Sequence, residues 1–406
     1  MRFTYAKSWL DTPGARPISL SLPLSAKPLS GDIVYNFFDN LLPDNPDIRL
    51  RIQRRFSCST SHPFDLLRAI GSDCVGALQF GESAEMPNVK TVHSTPVSDT
   101  EISEILRDYI DAPLGMSRSN DEFRISLAGA QEKTSFLHHK NKWHIPLGPT
   151  PASHIIKLPI GMLQHFKIDM SHSCENEWLC MKIAKAYSLP VADVALKKFG
   201  SIQTLIVDRF DRRWASDGTW LMRIPQEDVC QALGVSGGLK YESDGGPGII
   251  AIMDLLSQSN HAERDRGLFL KAQMLFWMLG AIDGHAKNFS IRLLPDGRFE
   301  LTPLYDILSA APFFSKHKLP VQKAKMAMAV FGTKKKYYGI NRIRKRHWIS
   351  TAQKAEYSTE SAHKIADELF ERLDEVKRHV SDMIPANFPD YIADGIFRWM
   401  QKVRDG

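Results

Sequence analysis

The sequence of 406 residues lacks most of the features that would place it outside the cell or in a membrane. Its five cysteines (Cys58, Cys74, Cys174, Cys180 and Cys230) form no C-x-x-C pair and are odd in number. That usage argues for a reducing cytosol and against a disulfide framework or structural zinc. The longest apolar run, Met274 to Ile282, falls far short of the ~20 residues a membrane-spanning helix needs. No charged-then-apolar segment opens the chain as a secretory signal would, so a cytoplasmic protein is expected. There is no internal repeat or low-complexity tract. The net charge of +6, from 52 basic and 46 acidic residues, is too small to argue by itself for nucleic acid. Neither G-x-G-x-x-G nor G-x-x-x-x-G-K-[ST] occurs in Arg124 to Thr134, where Glu132 stands in place of the second glycine of the latter, and this disfavours a P-loop NTPase.

What is present is concentrated in Asp283-Gly284-His285-Ala286-Lys287-Asn288. An Asp followed five residues later by an Asn is the spacing of a phosphotransferase catalytic loop, in which the Asp takes a hydroxyl proton and the Asn holds magnesium. Phe289 to Leu294 and Arg298 to Thr302 alternate in part around Pro295-Asp296-Gly297, which predicts a hairpin that returns Asp306 beside Asn288. Two oxygen ligands at the ends of a hairpin suit Mg2+ and its bridging of ATP phosphates. The plainer alternative is that Asp283 caps a helix end and Asp306 closes a strand.

Upstream, His154-Ile155-Ile156-Lys157-Leu158-Pro159 reads as a strand presenting Lys157 to phosphates. Glu175-Asn176-Glu177 opens a helical pattern with Ser173 as its N-cap candidate. Glu177 is the preferred partner of Lys157, and Glu175 the alternative. Thr204 to Phe210 reads as an apolar strand running into a charged segment, either an adenine hinge at Asp208, Arg209 and Phe210 or a surface ion-pair cluster. Backbone amides around Gly129, with Lys133 beside them, are suited to cradling phosphate as a nest.

These residues resemble the HipA-like serine/threonine kinases, the toxin components of bacterial toxin–antitoxin pairs. The resemblance runs through Arg16 to Leu24, Asn36 to Asp44, Ser126 to Thr134, His154 to Gly161, Val207 to Trp214, Lys240 to Ile249, Gly280 to Ser290 and Leu301 to Ser309. It implies Asp283 as catalytic base, Asn288 and Asp306 as magnesium ligands, and Lys157 as the ATP-phosphate lysine. It further implies a phosphate loop of Ala128, Gly129, Ala130, Gln131, Glu132 and Lys133, with His285, Lys287 and Tyr305 in the ATP site. Ser126 matches the family's autophosphorylated serine; a dianion there would repel the ATP phosphates and eject the loop. Family members usually carry a short β-hairpin before the part matched by Phe3-Thr4-Tyr5, where this chain has only Met1-Arg2. A downstream start, a trimmed sequence or a variant lacking a strand would each account for it, and the point touches the N-terminal sheet and its partner contacts, not the kinase motifs.

The fold expected is α+β and bilobal, like a protein kinase: a mixed β-rich N-terminal lobe with an extra N-terminal subdomain, then an all-helical C-terminal lobe, with ATP in the cleft between. The expected divisions are 1–96, 97–225 and 226–406. Ala84 to Asp99 reads as a linker or exposed hairpin, Ile102 to Ile110, Gly267 to Ala281 and Ser361 to His379 as helices. Lys334, Lys335 and Lys336 head a basic run that is either a solvated face or a contact to DNA phosphates. The resemblance implies a helix-turn-helix, HipB-like antitoxin seated on operator DNA, and an aminoacyl-tRNA synthetase, such as glutamyl-tRNA synthetase, as the phosphorylated target. Two other readings stand beside this one, a catalytically silent corepressor and a small-molecule kinase.

Overall fold

The computed structural model describes residues 1–81, 88–111, 133–163 and 167–406. Ser126 and the expected phosphate-loop residues Ala128 to Glu132 lie outside the described residues. The chain divides into two compact units: Met1–Leu158 with Asp193–Gly238 and Arg292–Gly297, and Pro159–Ala192 with Leu239–Ile291 and Arg298–Gly406.

The first unit is built on a six-stranded sheet of β1 (Ser94–Val97), β2 (Lys133–His139), β3 (Lys142–Pro146), β4 (His154–Lys157), β5 (Val194–Phe199) and β6 (Ile202–Asp208), in the order β1-β3-β2-β4-β6-β5. Neighbours pair antiparallel throughout. β1 is therefore an edge strand in the stretch read as a linker. The helix Asp99–Asp111 covers one face of the sheet. Its start is set by Ser98, whose hydroxyl accepts the Glu101 N–H while Glu101 accepts the Ser98 N–H at 2.7 Å, a reciprocal cap. Ile102 and Leu106, four residues apart, then meet Phe136, Ile156 and Phe199 in one core.

A second core in the same unit gathers Leu22, Val34, Phe37, Leu42, Leu66, Leu67 and Ile70 from the N-terminal segment. Arg2–Phe3 and Leu29–Ser30 pair as a two-stranded ribbon there. Polar side chains stitch this segment to residues 226–235. Glu227 accepts the Leu20 N–H at 2.8 Å, Asn36 donates to the Gly234 carbonyl, and Asn40 to that of Val235.

The second unit packs around α1 (Ser173–Ala186) and α2 (Ala262–Leu279). α1 is buried on nearly every side through Met181, and α2 from Ala272 onward, as central helices are. α2 ends at Gly280, whose φ of +71° provides the left-handed C-cap. The helix expected over Ser361 to His379 is two helices, Thr359–Glu371 and Leu373–Ser381, parted at Arg372. Contrary to the expectation, the C-terminal part is not all-helical: β7 (Ser290–Leu293) and β8 (Phe299–Leu301) form the expected hairpin, and β9 (Lys325–Phe331) and β10 (Lys336–Gly339) form a two-stranded ribbon. In β9 the continuous apolar run Met326 to Val330 is buried throughout, and a short apolar run of this length suits a strand buried on both faces.

Candidate active site

The catalytic-loop residues follow α2 directly. Gly284 is dictated by packing, because a Cβ there would lie 2.5 Å from the ring of Phe276 in α2. β9 fixes the loop's start, with the Ala327 N–H donating to the Ile282 carbonyl at 2.9 Å. Ala286–Asn288 then form one 3-10 turn. Within it the Asn288 Oδ1 accepts the His285 N–H at 3.1 Å, and the Asn288 N–H donates to the His285 carbonyl at 2.9 Å. His285, Lys287 and Asn288 are buried, whereas Asp283 is exposed.

Asp306 arrives beside this turn. The bond from the Thr302 N–H to the Ser290 carbonyl closes the hairpin at its open end. Leu304 is held between Pro190 and Ala192 by two backbone hydrogen bonds, and Ser309 is clamped by both polar atoms of the Asn176 side chain. Between these anchors Asp306 takes a φ of +61°, a left-handed conformation uncommon for a residue with a side chain. Its carboxylate then accepts a hydrogen bond from the Asn288 amide at 3.2 Å. Tyr305 braces the pair from behind: its hydroxyl lies 2.6 Å from the Ser290 hydroxyl and donates to the Lys287 carbonyl at 2.9 Å.

A residue that sequence reasoning did not single out completes the group. Tyr241 donates its hydroxyl hydrogen to the Asp283 Oδ1 at 2.7 Å and sets its ring edge-on to His285. Two contacts hold Tyr241 in place. The Lys240 carbonyl accepts the Ala286 N–H, and Glu242 accepts the Ala329 N–H. The only hint in the sequence was that Tyr241 falls in Lys240 to Ile249, one of the segments carrying the family resemblance.

In the first unit, Lys157 ends β4 and is buried. It stands directly opposite Lys133 in the register of β2 and β4. Residues opposite in an antiparallel pair project to the same face, and like charges there repel. Two lysines in that relation suit a face that receives anions. Glu177 and Glu175 lie buried in the first turns of α1, in the second unit. Ser173 is not the N-cap of α1: it is the first helical residue, and its hydroxyl accepts the Ile160 N–H.

The charged stretch after β6 is not a surface cluster. Arg209 and Arg212 are buried and bridge Asp73 and Asp211 at 2.8–3.0 Å, while both also donate to the Cys74 carbonyl. Burial would raise the carboxyls of Asp73 and Asp211, but the arginines outweigh it and hold both below the usual carboxylate range. The N–H groups of Asp208 and Arg209 donate to Asp193 and Ser153 carbonyls. An adenine contact at this segment therefore falls to groups other than those two amides and the Arg209 side chain. Asp208 itself is exposed and 2.9 Å from the His154 Nε2.

Lys334 and Lys335 sit at the turn between β9 and β10. Lys336 is already ion-paired with Glu242 at 2.7 Å, which raises its ammonium above the usual lysine range. Among the described residues no group of three or more His, Cys, Asp or Glu side chains is placed to hold a metal ion, and no helix is long and apolar enough to cross a membrane.

Comparison with known proteins bears on the same residues. A family model of the HipA-like C-terminal domain matches residues 125–377, and one of the HipA N-terminal domain matches residues 1–81. The putative kinase Y4mE of Sinorhizobium fredii is 34% identical over 333 residues, covering 81% of this chain and 75% of that protein. The serine/threonine-protein kinase toxin HipA of Shewanella oneidensis is 30% identical over 319 residues, covering 75% and 69%. Among solved structures, the complex of Shewanella oneidensis MR-1 HipA with HipB and its operator DNA holds a chain that superposes with a TM-score of 0.80, covering 100% of this chain and 94% of that one. At 23% identity that superposition speaks to the fold. The chain belongs to the HipA family and is a protein serine/threonine kinase of α+β, kinase-like fold.

Proposed function

We propose that this chain is a cytoplasmic toxin kinase that transfers the ATP γ-phosphate to a serine or threonine of a protein target, with Asp283 as the base. The observation that carries this is the exposed Asp283 carboxylate, one oxygen held by Tyr241, beside the Asn288–Asp306 pair. With Tyr241 on one oxygen, the other is left to accept the hydroxyl proton of the target in the right orientation. His285 and Gly284 keep that carboxylate at the rim of the packed core.

The donor set fits magnesium. Asn288 Oδ1 uses one lone pair on the His285 N–H and retains another, Asp306 offers a carboxylate, and hard oxygens of this kind suit the ion. Bound there, magnesium would neutralise phosphate charge. Lys157 and Lys133 would add cationic charge for the ATP phosphates. Residues Ala128 to Glu132 would supply the phosphate loop and Ser126 the self-inactivating site. Glu177 would serve as partner of Lys157, and Asp208 to Phe210, with His285, Lys287 and Tyr305, would serve ATP binding.

Transfer from radiolabelled ATP to protein tests the reading. The wild type should exceed the Asp283→Gln variant by roughly 100-fold or more, the usual range for a catalytic acid or base. Equal background in both sinks it. Phosphopeptide mapping in the host would test the synthetase target, glutamyl-tRNA synthetase first, and Ser126.

The relative from Shewanella oneidensis is named with an antitoxin and operator DNA, and the same partners are proposed here, with Lys334 and Lys335 contacting phosphates. Because Lys336 is committed to Glu242, neutralising Lys334 and Lys335 should lower the salt slope of operator binding by up to ~2, and neutralising Lys336 as well should add little. An unchanged slope counts against the contact.

A further inference from the structure

The catalytic group leaves unused a cavity of about 440 Å³ in the second unit, between the segment that continues from Asp306 and α3 (Asp390–Asp405). Phe314 and Trp399 form its apolar floor, their rings edge-to-face at 4.9 Å, with Pro320 alongside. Lys316, Arg398 and Lys402 stand on its rim against a single acid, Asp394.

The walls are set by close packing. A Cβ on Gly395 would come within 2.6 Å of the Pro312 Cα, so α3 meets this segment backbone to backbone. The Trp399 indole donates to the Trp277 carbonyl at 3.1 Å. Across the cavity, the Leu319 N–H donates to the Phe313 carbonyl and the Ser315 N–H to the Leu319 carbonyl, closing the loop on itself.

Its charge is unbalanced. Residues 307–355 contain nine lysines and three arginines and no aspartate or glutamate. Two of these charges are answered elsewhere, Lys336 by Glu242 and Lys345 by Asp367. Among the described residues Lys316 and Arg398 have no carboxylate within ion-pair distance, and the Lys402 ammonium rests over the Trp399 ring. An apolar floor beneath uncompensated cations favours an anionic ligand with an apolar anchor. The groove is also tied to the catalytic group through the chain. Ala311 follows Asp306 by five residues, and Ser309 between them donates to the Leu279 carbonyl while accepting the Ala311 N–H.

We propose that this groove docks an acidic segment of the protein substrate, seating one large apolar side chain over Phe314 and Trp399 and its flanking carboxylates on Arg398 and Lys316. The inference rests on the protein-kinase reading. Docking there raises the local concentration of the acceptor hydroxyl, so its loss acts on KM rather than on kcat.

The test uses the full chain and a fluorescein-labelled peptide of eight glutamates around one tryptophan, with a lysine counterpart and a DNA 12-mer as further probes, read by anisotropy. The acidic peptide should bind, more weakly as salt rises, and the lysine peptide should not. Lys316→Glu with Arg398→Glu should weaken binding by about tenfold or more and raise the KM for host-extract proteins, with autophosphorylation unchanged. Asp394→Asn should tighten binding. Equal binding of both peptides, wild-type affinity in the double variant, or stronger binding of the DNA at the same site overturns the proposal. Asp283→Asn separates the two readings: it should abolish phosphate transfer and leave peptide binding intact. Absence of transfer by the wild type would count against the kinase reading alone.

Discussion

Asp73 and Asp211 are buried among arginines in the first unit, whereas Asp283 and Asp306 stand exposed in the second. The same side chain is put to opposite uses. In the buried network every carboxylate oxygen of Asp73 and Asp211 is taken up by guanidinium or backbone N–H groups, so the charges serve architecture and are closed to ligands. The exposed pair is reached by solvent, and only such a carboxylate can accept a proton or a cation. Burial therefore closes the side chains of Arg209 and Arg212 to ligands and leaves any adenine contact of this segment to its other groups.

Breaking the buried side of this contrast should have the largest effect on stability. Asp73→Asn leaves Arg209 and Arg212 buried with too little negative charge, and should cost about 3–5 kcal/mol in urea unfolding. A cost below about 1 kcal/mol would show that the network relaxes into solvent. By contrast, Asp283→Asn should move stability by no more than about 0.5 kcal/mol while abolishing activity.

Glu227 sharpens the contrast because it is buried without an arginine. Desolvation pushes its carboxyl up to about 8 from an ordinary 4.5, against the lowering effect of hydrogen bonds from Ser19 and Leu20. The unfolded chain releases this proton near pH 4.5, while the folded one holds it to about 8, so folding loses stability as pH rises through that window. Asp73 and Asp211 have the opposite sign, since their depressed pKa values stabilise above the ordinary carboxylate range and fail only in acid. Glu227→Gln should thus stabilise by a few kcal/mol at pH 8 and by almost nothing at pH 4.5. A pH-independent difference in melting would refute the assignment.

The smallest effect tests the exposed side. Tyr241→Phe removes one hydrogen bond to Asp283 and should lower kcat about fivefold, the equivalent of about 1 kcal/mol, with KM nearly unchanged.

The parts of the site that could be read in the sequence are those whose geometry is local. Asp283 and Asn288 share one short loop, a hairpin returns Asp306, and Lys157 ends a short β-branched strand. What could not be read depends on distant chain. Tyr241 reaches Asp283 across 42 residues, and Asp73 meets Arg209 across 136. Nothing in the composition of Thr204 to Trp214 foretold burial, because Asp211 alone cannot balance two buried arginines and the second carboxylate, Asp73, lies in another segment. The ribbon of β9 and β10 is legible only in the short apolar run Met326 to Val330, which by periodicity alone cannot be told from a buried helix. Gly284 was visible as a letter but not as a necessity, since only the ring of Phe276 explains it.

The left-handed backbone at Asp306 bears on how an inactive form of this protein would arise. Glycine adopts that conformation without steric cost, so Asp306→Gly would remove the carboxylate and relieve the backbone in one step. Loss of catalysis at this position is then downhill for folding, and the dead protein would be the sturdier one. Keeping an aspartate there is a standing expense that only the chemistry justifies.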